Sequence, residues 1–178
     1  MSLIYYHVVT EKPMKLGQKI IFDRSHHSGV YKRVYKLKNV VDDIYQNPIK
    51  YQNKDLSHHT KVALRELALE EIRQKEYPNC PSRLSCLYVT KTLKEAESWY
   101  DYFIKLGRKV YQIVKVSVDG NTFTGNANNC FDGTIDKEKN LELAKRYWEN
   151  KNFDNNQVFE TIASGKIEVV AIIKENMI

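Results

Sequence analysis

Residues 84–105 read LSCLYVTKTLKEAESWYDYFIK, and this stretch carries the clearest local structural signals in the chain. Its first part alternates in polarity, which is the period of a β-strand, and predicts a strand over Leu84–Thr90. Thr92 and Glu95 then match the capping box, in which each side chain accepts a hydrogen bond from the other residue's backbone N–H. This pattern predicts a helix that begins at Thr92 and ends near Lys105.

Segments on both sides of this stretch predict more strands and helices. Ile4–Val9 is aromatic and β-branched, so we expect an interior strand over Tyr5–Val9 that pairs with a strand from the second half of the chain. The turn signal at Asp119–Asn121 predicts a hairpin. The other predicted helices are Thr60–Lys75 and Asp136–Asn150, and the other strands are Lys109–Val118, Thr122–Thr124, Val158–Ile162 and Ile167–Ile173. Because this order has no regular βαβ period, it predicts an α+β fold, in a single domain over residues 1–178.

Length and composition exclude several classes of protein. The chain has 178 residues, with a hydrophobic share of 42% and a charged share of 28%, which are values of a globular domain and not of a disordered or collagen-like chain. No run of about 18 apolar residues occurs, so we expect no membrane span and no membrane partner. The start lacks the features of a signal peptide, and the three cysteines are an odd number. These features predict a cytoplasmic protein with free thiols.

Positive charge is concentrated in the first half of the chain. Residues 1–90 hold 15 Lys or Arg and 9 Asp or Glu residues, whereas residues 91–178 hold 13 of each, so the net charge of +6 arises before residue 91. Much of it lies in Arg24–Asn39, which has five cations and no acid. Such a segment is common on a solvated face. It also predicts a phosphate-bearing partner, with nucleic acid contacts through Arg24, Arg33 and Lys36.

Motifs for metal binding and nucleophilic catalysis are weak. The pairs His26-His27 and His58-His59 place adjacent rings on opposite sides of a strand or about 100° apart on a helix, which disfavours a shared ion. No C-x-x-C spacing occurs. Cys86 has no histidine partner nearby in the sequence, so we expect a buried structural thiol. The sequence therefore predicts no metal cofactor.

Three dispersed residues carry a resemblance to known proteins. His7 lies on the first predicted strand, Tyr88 on the strand before the Thr92 helix, and Glu160 at the head of a late strand. This layout resembles the ADP-ribosyltransferase-like superfamily in its His–Tyr–Glu variety. The chain as a whole also resembles a bacterial family of uncharacterised proteins known as domain of unknown function 2441. The latter resemblance rests on Tyr5–Val8, Arg83–Val89, Tyr147-Trp148 and Glu160–Val169.

The superfamily resemblance implies an ADP-ribosyltransferase-like split β-sheet with flanking helices and an NAD-binding cleft. In that superfamily the histidine holds the nicotinamide ribose, the tyrosine stacks on nicotinamide and the glutamate bonds the ribose 2′-hydroxyl. The resemblance thus implies that NAD is the substrate, that Glu160 is catalytic, and that His7, Tyr88, Ser85 and Arg83 bind NAD. Cleavage of the nicotinamide–ribose bond passes through an oxocarbenium-like state, which a carboxylate stabilises.

Ordinary structural roles remain open for the same residues. His7 and Tyr88 are also typical of core positions, Glu160 of a solvated strand, and Glu168 is a rival carboxylate. No second acid stands two positions before Glu160, where arginine-modifying members of the superfamily have one, so arginine modification is not expected. Two functions are therefore carried forward. The first is transfer of ADP-ribose from NAD to water or to an unknown acceptor, with transfer of an RNA 2′-phosphate to NAD as a variant, and the second is a non-catalytic nucleotide or nucleic-acid binding module.

Overall fold

The structure is a computed structural model that describes residues 2–151 and 157–177. The chain divides into two compact units, each built from separate stretches. Unit 1 combines Met1–His26, Cys86–Phe123 and Glu160–Ile178, and unit 2 combines His27–Ser85 with Thr124–Phe159. The single domain expected over residues 1–178 stays a prediction.

Strands and helices are both present in the described residues, in two antiparallel sheets and six α-helices, which confirms the predicted α+β class. The strands are β1 Leu3–Val9, β2 Lys19–Phe22, β3 Leu87–Val89, β4 Gln112–Asp119, β5 Thr122–Asn126, β6 Phe159–Ala163 and β7 Gly165–Glu175. The helices are α1 Gly29–Lys36, α2 Lys38–Gln46, α3 Pro48–Tyr51, α4 His58–Glu76, α5 Leu93–Lys105 and α6 Lys137–Glu149.

A four-stranded antiparallel sheet in the order β1-β4-β7-β2 is the centre of unit 1. Tyr5 pairs with Val116, and Val116 pairs with Val169, so apolar side chains of three strands line up on one face. This face belongs to a core that also contains Val9 and Val114, both almost fully buried. Burial of apolar surface there fixes the register, because a slip by one residue would turn these side chains to the other face.

Helix α5 packs on the face of β1 that carries Val8. The capping box forms as predicted: the Thr92 hydroxyl accepts from the Glu95 N–H at 3.2 Å, and the Glu95 carboxylate accepts from the Thr92 N–H at 3.1 Å. Ala96, one residue further on, is fully buried in a cluster with Val8 and Ile113. The helix therefore begins where the capping box predicts, and its first turn is buried against β1.

A second sheet has the strand order β3-β6-β5, and it meets β1 within unit 1. Tyr6 and Thr90 exchange two backbone hydrogen bonds, with N···O distances of 2.9 and 2.7 Å. The predicted pairing of β1 with a second-half strand is confirmed, since β4 is its partner. The prediction of an interior strand needs a correction: β1 ends the four-stranded sheet, and its outer edge is linked to Thr90.

The predicted hairpin at Asp119–Asn121 is wrong, because β4 and β5 lie in different sheets. The turn instead contacts the connection between β6 and β7, where the Asn121 carbonyl accepts a hydrogen bond from the Ser164 N–H at 2.9 Å. A Cβ atom on Gly120 would lie 1.9 Å from the Ser164 carbonyl oxygen, and Gly165 has a φ of 95°. Glycine is required at both positions for this close approach, and the turn signal reflects it.

Unit 2 is helical, and its core lies between α1, α2 and α4. The buried apolar residues are Val34, Val41, Ile44, Ala63, Leu64 and Leu84. Leu84 was predicted to begin a strand, but β3 begins only at Leu87. The reason is that Leu84 is buried in the core of unit 2, after a turn in which the Ser82 hydroxyl accepts from the Leu84 N–H. No helix in residues 2–151 and 157–177 combines the length and apolar character needed to cross a membrane.

A buried ion pair lies inside unit 2. Glu66 on α4 and Arg83 are 4% and 6% exposed, and their closest N···O distance is 3.1 Å. Burial by itself would raise the pKa of Glu66, but the charges and hydrogen bonds of Arg83 and Arg65 hold that pKa below its usual value of 4.5. The pair therefore stays charged at neutral pH.

We expect Glu66→Gln to lower the free energy of unfolding by about 3–5 kcal/mol at pH 7, because it leaves the Arg83 charge buried without its counter-ion. Since the folded pKa of Glu66 is lowered, its contribution is present above pH 4.5 and is lost as the pH falls further. Urea unfolding of both proteins from pH 8 to pH 3 measures this difference. Glu142→Gln, at an exposed carboxylate of α6, is the matched control and is expected to change little. Equal losses in the two variants would contradict the prediction.

Candidate functional site

His7 lies on β1, one residue after the junction between the two sheets. It pairs with Val114 of β4, and its ring Nδ1 lies 2.6 Å from the backbone carbonyl oxygen of Tyr88. A carbonyl oxygen can only accept, so Nδ1 carries the proton in this contact. The remaining ring nitrogen, Nε2, then presents a lone pair, and a neutral His7 becomes a hydrogen-bond acceptor at a defined position.

The environment keeps His7 uncharged. Its side chain is only partly exposed, and desolvation lowers its pKa from 6.5 to about 4, although the bond to the Tyr88 carbonyl acts in the opposite direction. A neutral imidazole is therefore the form present at physiological pH.

Tyr88 lies at the middle of β3, between two core residues. Leu87 and Val89 are buried in the core of unit 1, so strand alternation turns the Tyr88 side chain to the opposite face, where it is 44% exposed. Its backbone pairs with Ile162 of β6. An exposed aromatic ring beside a sheet junction can offer a stacking surface.

Glu160 lies near the start of β6, two residues before Ile162, and is half-buried. Because residues two apart share a face of a strand, Glu160 and Ile162 face the same way, and Ile162 is the pairing partner of Tyr88. The structure thus brings Tyr88 and Glu160 to one face of β3 and β6. It brings His7 to β3 through the Tyr88 backbone, but alternation along β1 puts the His7 side chain on the face of Tyr5 and Val9. The core on that face also holds Leu87 and Val89, and the Tyr88 side chain is on the opposite face of β3.

Arg83 and Ser85 both belong to unit 2. The Arg83 guanidinium contacts Glu66, the Tyr147 hydroxyl at 2.9 Å and the Cys130 sulfur at 3.7 Å. These contacts hold the Arg83 guanidinium in a buried ion pair in the interior of unit 2. The expected role of Arg83 as an NAD ligand stays a prediction. Cys86, expected to be a buried thiol, is 4% exposed.

The contact of Ser85 with His27 was not visible in the sequence. The Ser85 hydroxyl is buried and lies 2.6 Å from His27 Nδ1. Fifty-eight residues separate the two, and the His26-His27 pair alone indicated only surface or capping roles. A binding role for Ser85 stays a prediction.

The basic segment 24–39 is divided between the units. Arg24 follows β2 in unit 1, whereas Arg33 and Lys36 lie exposed on α1 in unit 2. Within residues 2–151 and 157–177, no group of three His, Cys, Asp or Glu side chains is arranged to hold a metal ion.

We expect the His7 ring to titrate near pH 4 in an NMR pH series of the folded protein. Because this pKa is below the unfolded value of 6.5, the unfolded chain takes up the proton first, and part of the free energy of unfolding is lost between pH 6.5 and pH 4. His7→Gln identifies the resonance by its loss and should flatten the dependence of unfolding on pH in that interval. A midpoint at 6.5 for the wild-type ring would contradict desolvation at this position.

Comparison with known proteins gives one family. No curated protein matched the sequence. The family model described as "Protein of unknown function (DUF2441)" matches residues 5–175, which include β1 from Tyr5 onwards, strands β2 to β7 and helices α1 to α6. A match over nearly the whole chain shows that this protein belongs to the DUF2441 family.

Proposed function

We propose that this protein cleaves NAD at the nicotinamide–ribose bond and transfers ADP-ribose to water or to an acceptor, in the manner of the ADP-ribosyltransferase-like superfamily. The observation that carries the proposal is the contact of the His7 ring with the Tyr88 carbonyl beside the junction of β1 with Thr90, together with Glu160 on the neighbouring strand β6, on the face of Tyr88. A split sheet with these residue types on these strands is the arrangement that the resemblance implies.

The state of His7 supports a binding role. With Nδ1 engaged by the Tyr88 carbonyl and a pKa of about 4, Nε2 accepts a hydrogen bond and carries no positive charge. A ribose hydroxyl is a suitable donor to such a nitrogen. An uncharged imidazole also avoids repulsion with the positive charge that develops on the ribose during cleavage.

The position of Tyr88 supports recognition of a flat ring. Its side chain is substantially exposed although its two chain neighbours are in the core. Strands normally bury large aromatic rings, since such rings contribute much apolar surface. An exposed tyrosine on a short strand can stack with nicotinamide, as the resemblance implies.

Glu160 is the proposed catalytic carboxylate. In the reaction the C1′–N bond breaks, nicotinamide leaves with the electron pair, and water or an acceptor adds to C1′ and loses a proton. The sugar passes through an oxocarbenium-like state, and a carboxylate near the ribose stabilises the charge more in that state than in the ground state. The proposal does not use Arg83, because Glu66 and Tyr147 already bind its guanidinium.

Purified protein with NAD, followed by release of nicotinamide, tests this proposal. We expect Glu160→Gln to lower the rate at least 100-fold and to leave the affinity for NAD within about threefold, because the lost interaction belongs to the transition state. Tyr88→Ala is expected to weaken NAD binding instead. The matched control is Glu168→Gln, an exposed carboxylate of β7 that should leave the rate unchanged.

Thermal unfolding with and without NAD separates binding from catalysis. A ligand at 100 times its dissociation constant adds about 2.7 kcal/mol to stability. If NAD stabilises the protein and Tyr88→Ala abolishes this effect, but no nicotinamide is released, the protein is a binding module. If NAD neither stabilises the protein nor is consumed, the NAD proposal is wrong.

A further inference from the structure

His27 and Tyr31 form a stack at the beginning of unit 2. The two rings lie face to face, with ring centroids 3.7 Å apart and planes 3° apart, and Tyr35 follows Tyr31 at 4.5 Å with its plane tilted by 35°. Tyr31 and Tyr35 are partly buried against the core of unit 2. Residues four apart on a helix are neighbours on one side, so Tyr31 and Tyr35 continue a single row along α1. His27 ends the row and is exposed, so one further ring can add to the stack there.

The position of His27 is fixed by hydrogen bonds. Its Nδ1 contacts the buried Ser85 hydroxyl at 2.6 Å. The next residue, Ser28, donates to the Leu84 carbonyl from both its backbone N–H, at 3.0 Å, and its hydroxyl, at 2.8 Å. A ring that is already ordered loses little conformational entropy when a ligand stacks on it.

Cations lie beside the aromatic row. Lys32, Arg33 and Lys36 are exposed on α1, and none of them has an ion-pair partner in the described part of the chain. The next cation, Lys38, differs because Asp42 contacts it at 3.3 Å. At about 100° per residue, Lys32 and Lys36 form a row next to Tyr31 and Tyr35, on the side away from buried Val34.

Negative charge near this surface is neutralised. Burial raises the pKa of Tyr35 most, followed by the neighbouring Tyr31 and then by the charge of Glu70. The Glu70 carboxylate is bound by Arg73 at 2.8 Å and accepts from the Ser82 hydroxyl at 2.8 Å. The field at the surface is therefore set by the unpaired cations of α1.

We propose that His27, at the exposed end of the row of Tyr31 and Tyr35, forms with Lys32 and Lys36 a binding surface for single-stranded nucleic acid. An exposed, ordered ring suits a base whose face is accessible, and the neighbouring row of two lysines suits the phosphates beside that base. A duplex hides its base faces, and an acidic peptide has no ring for the stack. The surface does not include His7, Tyr88 or Glu160, the three residues on which the NAD proposal is argued, and its test does not require NAD cleavage.

Fluorescence anisotropy with a labelled 12-mer of thymidylate tests the surface. Two phosphate contacts predict that log K falls with log salt at a slope of about −1.4, and Lys32→Gln/Lys36→Gln should reduce the slope to near zero. The matched control is Lys94→Gln/Lys105→Gln, which removes two exposed lysines of α5 and leaves the same net charge. Its slope is expected to equal that of the wild type.

Stacking is tested separately at His27. His27→Ala should weaken oligonucleotide binding about tenfold. His27→Phe keeps an aromatic ring but loses the bond to Ser85 that orders it, and its affinity should lie between those of the wild type and His27→Ala. Unfolding midpoints of both variants show that they are folded. Any of four results would overturn the proposal. They are an equal change of slope in the α5 control, an equal affinity for a polyglutamate peptide, tighter binding to a DNA duplex than to the 12-mer, and no binding of the 12-mer at 50 mM salt.

Discussion

Two backbone hydrogen bonds between Tyr6 and Thr90 hold the candidate site of unit 1 together. They join β1 to the segment that continues from β3, so the two sheets meet one residue before His7. The His7 ring reaches the Tyr88 carbonyl only because this junction sets the offset between the strands. Since the junction is made by backbone groups, it depends on strand register, and the register depends on the apolar side chains that β1 buries against β4.

Local features of this fold could be predicted because their causes lie within a few residues. The capping box of α5 and the apolar stripe of α4 involve neighbours in the sequence, and both helices form close to the predicted bounds. The sheet partners of β4 and β5 could not be predicted in this way. The turn between them has hairpin chemistry, but the partner of β5 in its sheet is β6, which comes more than thirty residues later. The predicted start of a strand at Leu84 was wrong for a similar reason, because helices that are distant in the sequence bury this residue.

The candidate site shows the same limit at the level of side chains. His7, Tyr88 and Glu160 were singled out by resemblance, and no spacing in the sequence indicates that a ring on β1 would bond a backbone carbonyl on β3. The ion pair of Glu66 with Arg83 was missed, although the position of Glu66 between Leu64 and Leu67 was a signal for a buried partner. Long-range polar contacts need the fold before they can be recognised.

The division of each unit into separate stretches has a consequence for synthesis. The chain passes between the units four times, and all of unit 2 precedes Glu160. Strand β7, which pairs with both β4 and β2, therefore leaves the ribosome after the helices of unit 2 are complete. Strand β2 has to wait for β7, with Lys19 pairing to Glu168, so the sheet closes through contacts that are distant in sequence and slow to form. We infer that unit 2 becomes protease-resistant on the nascent chain first, and that emergence of β7 commits unit 1 to its fold, an order that limited proteolysis of arrested chains can establish.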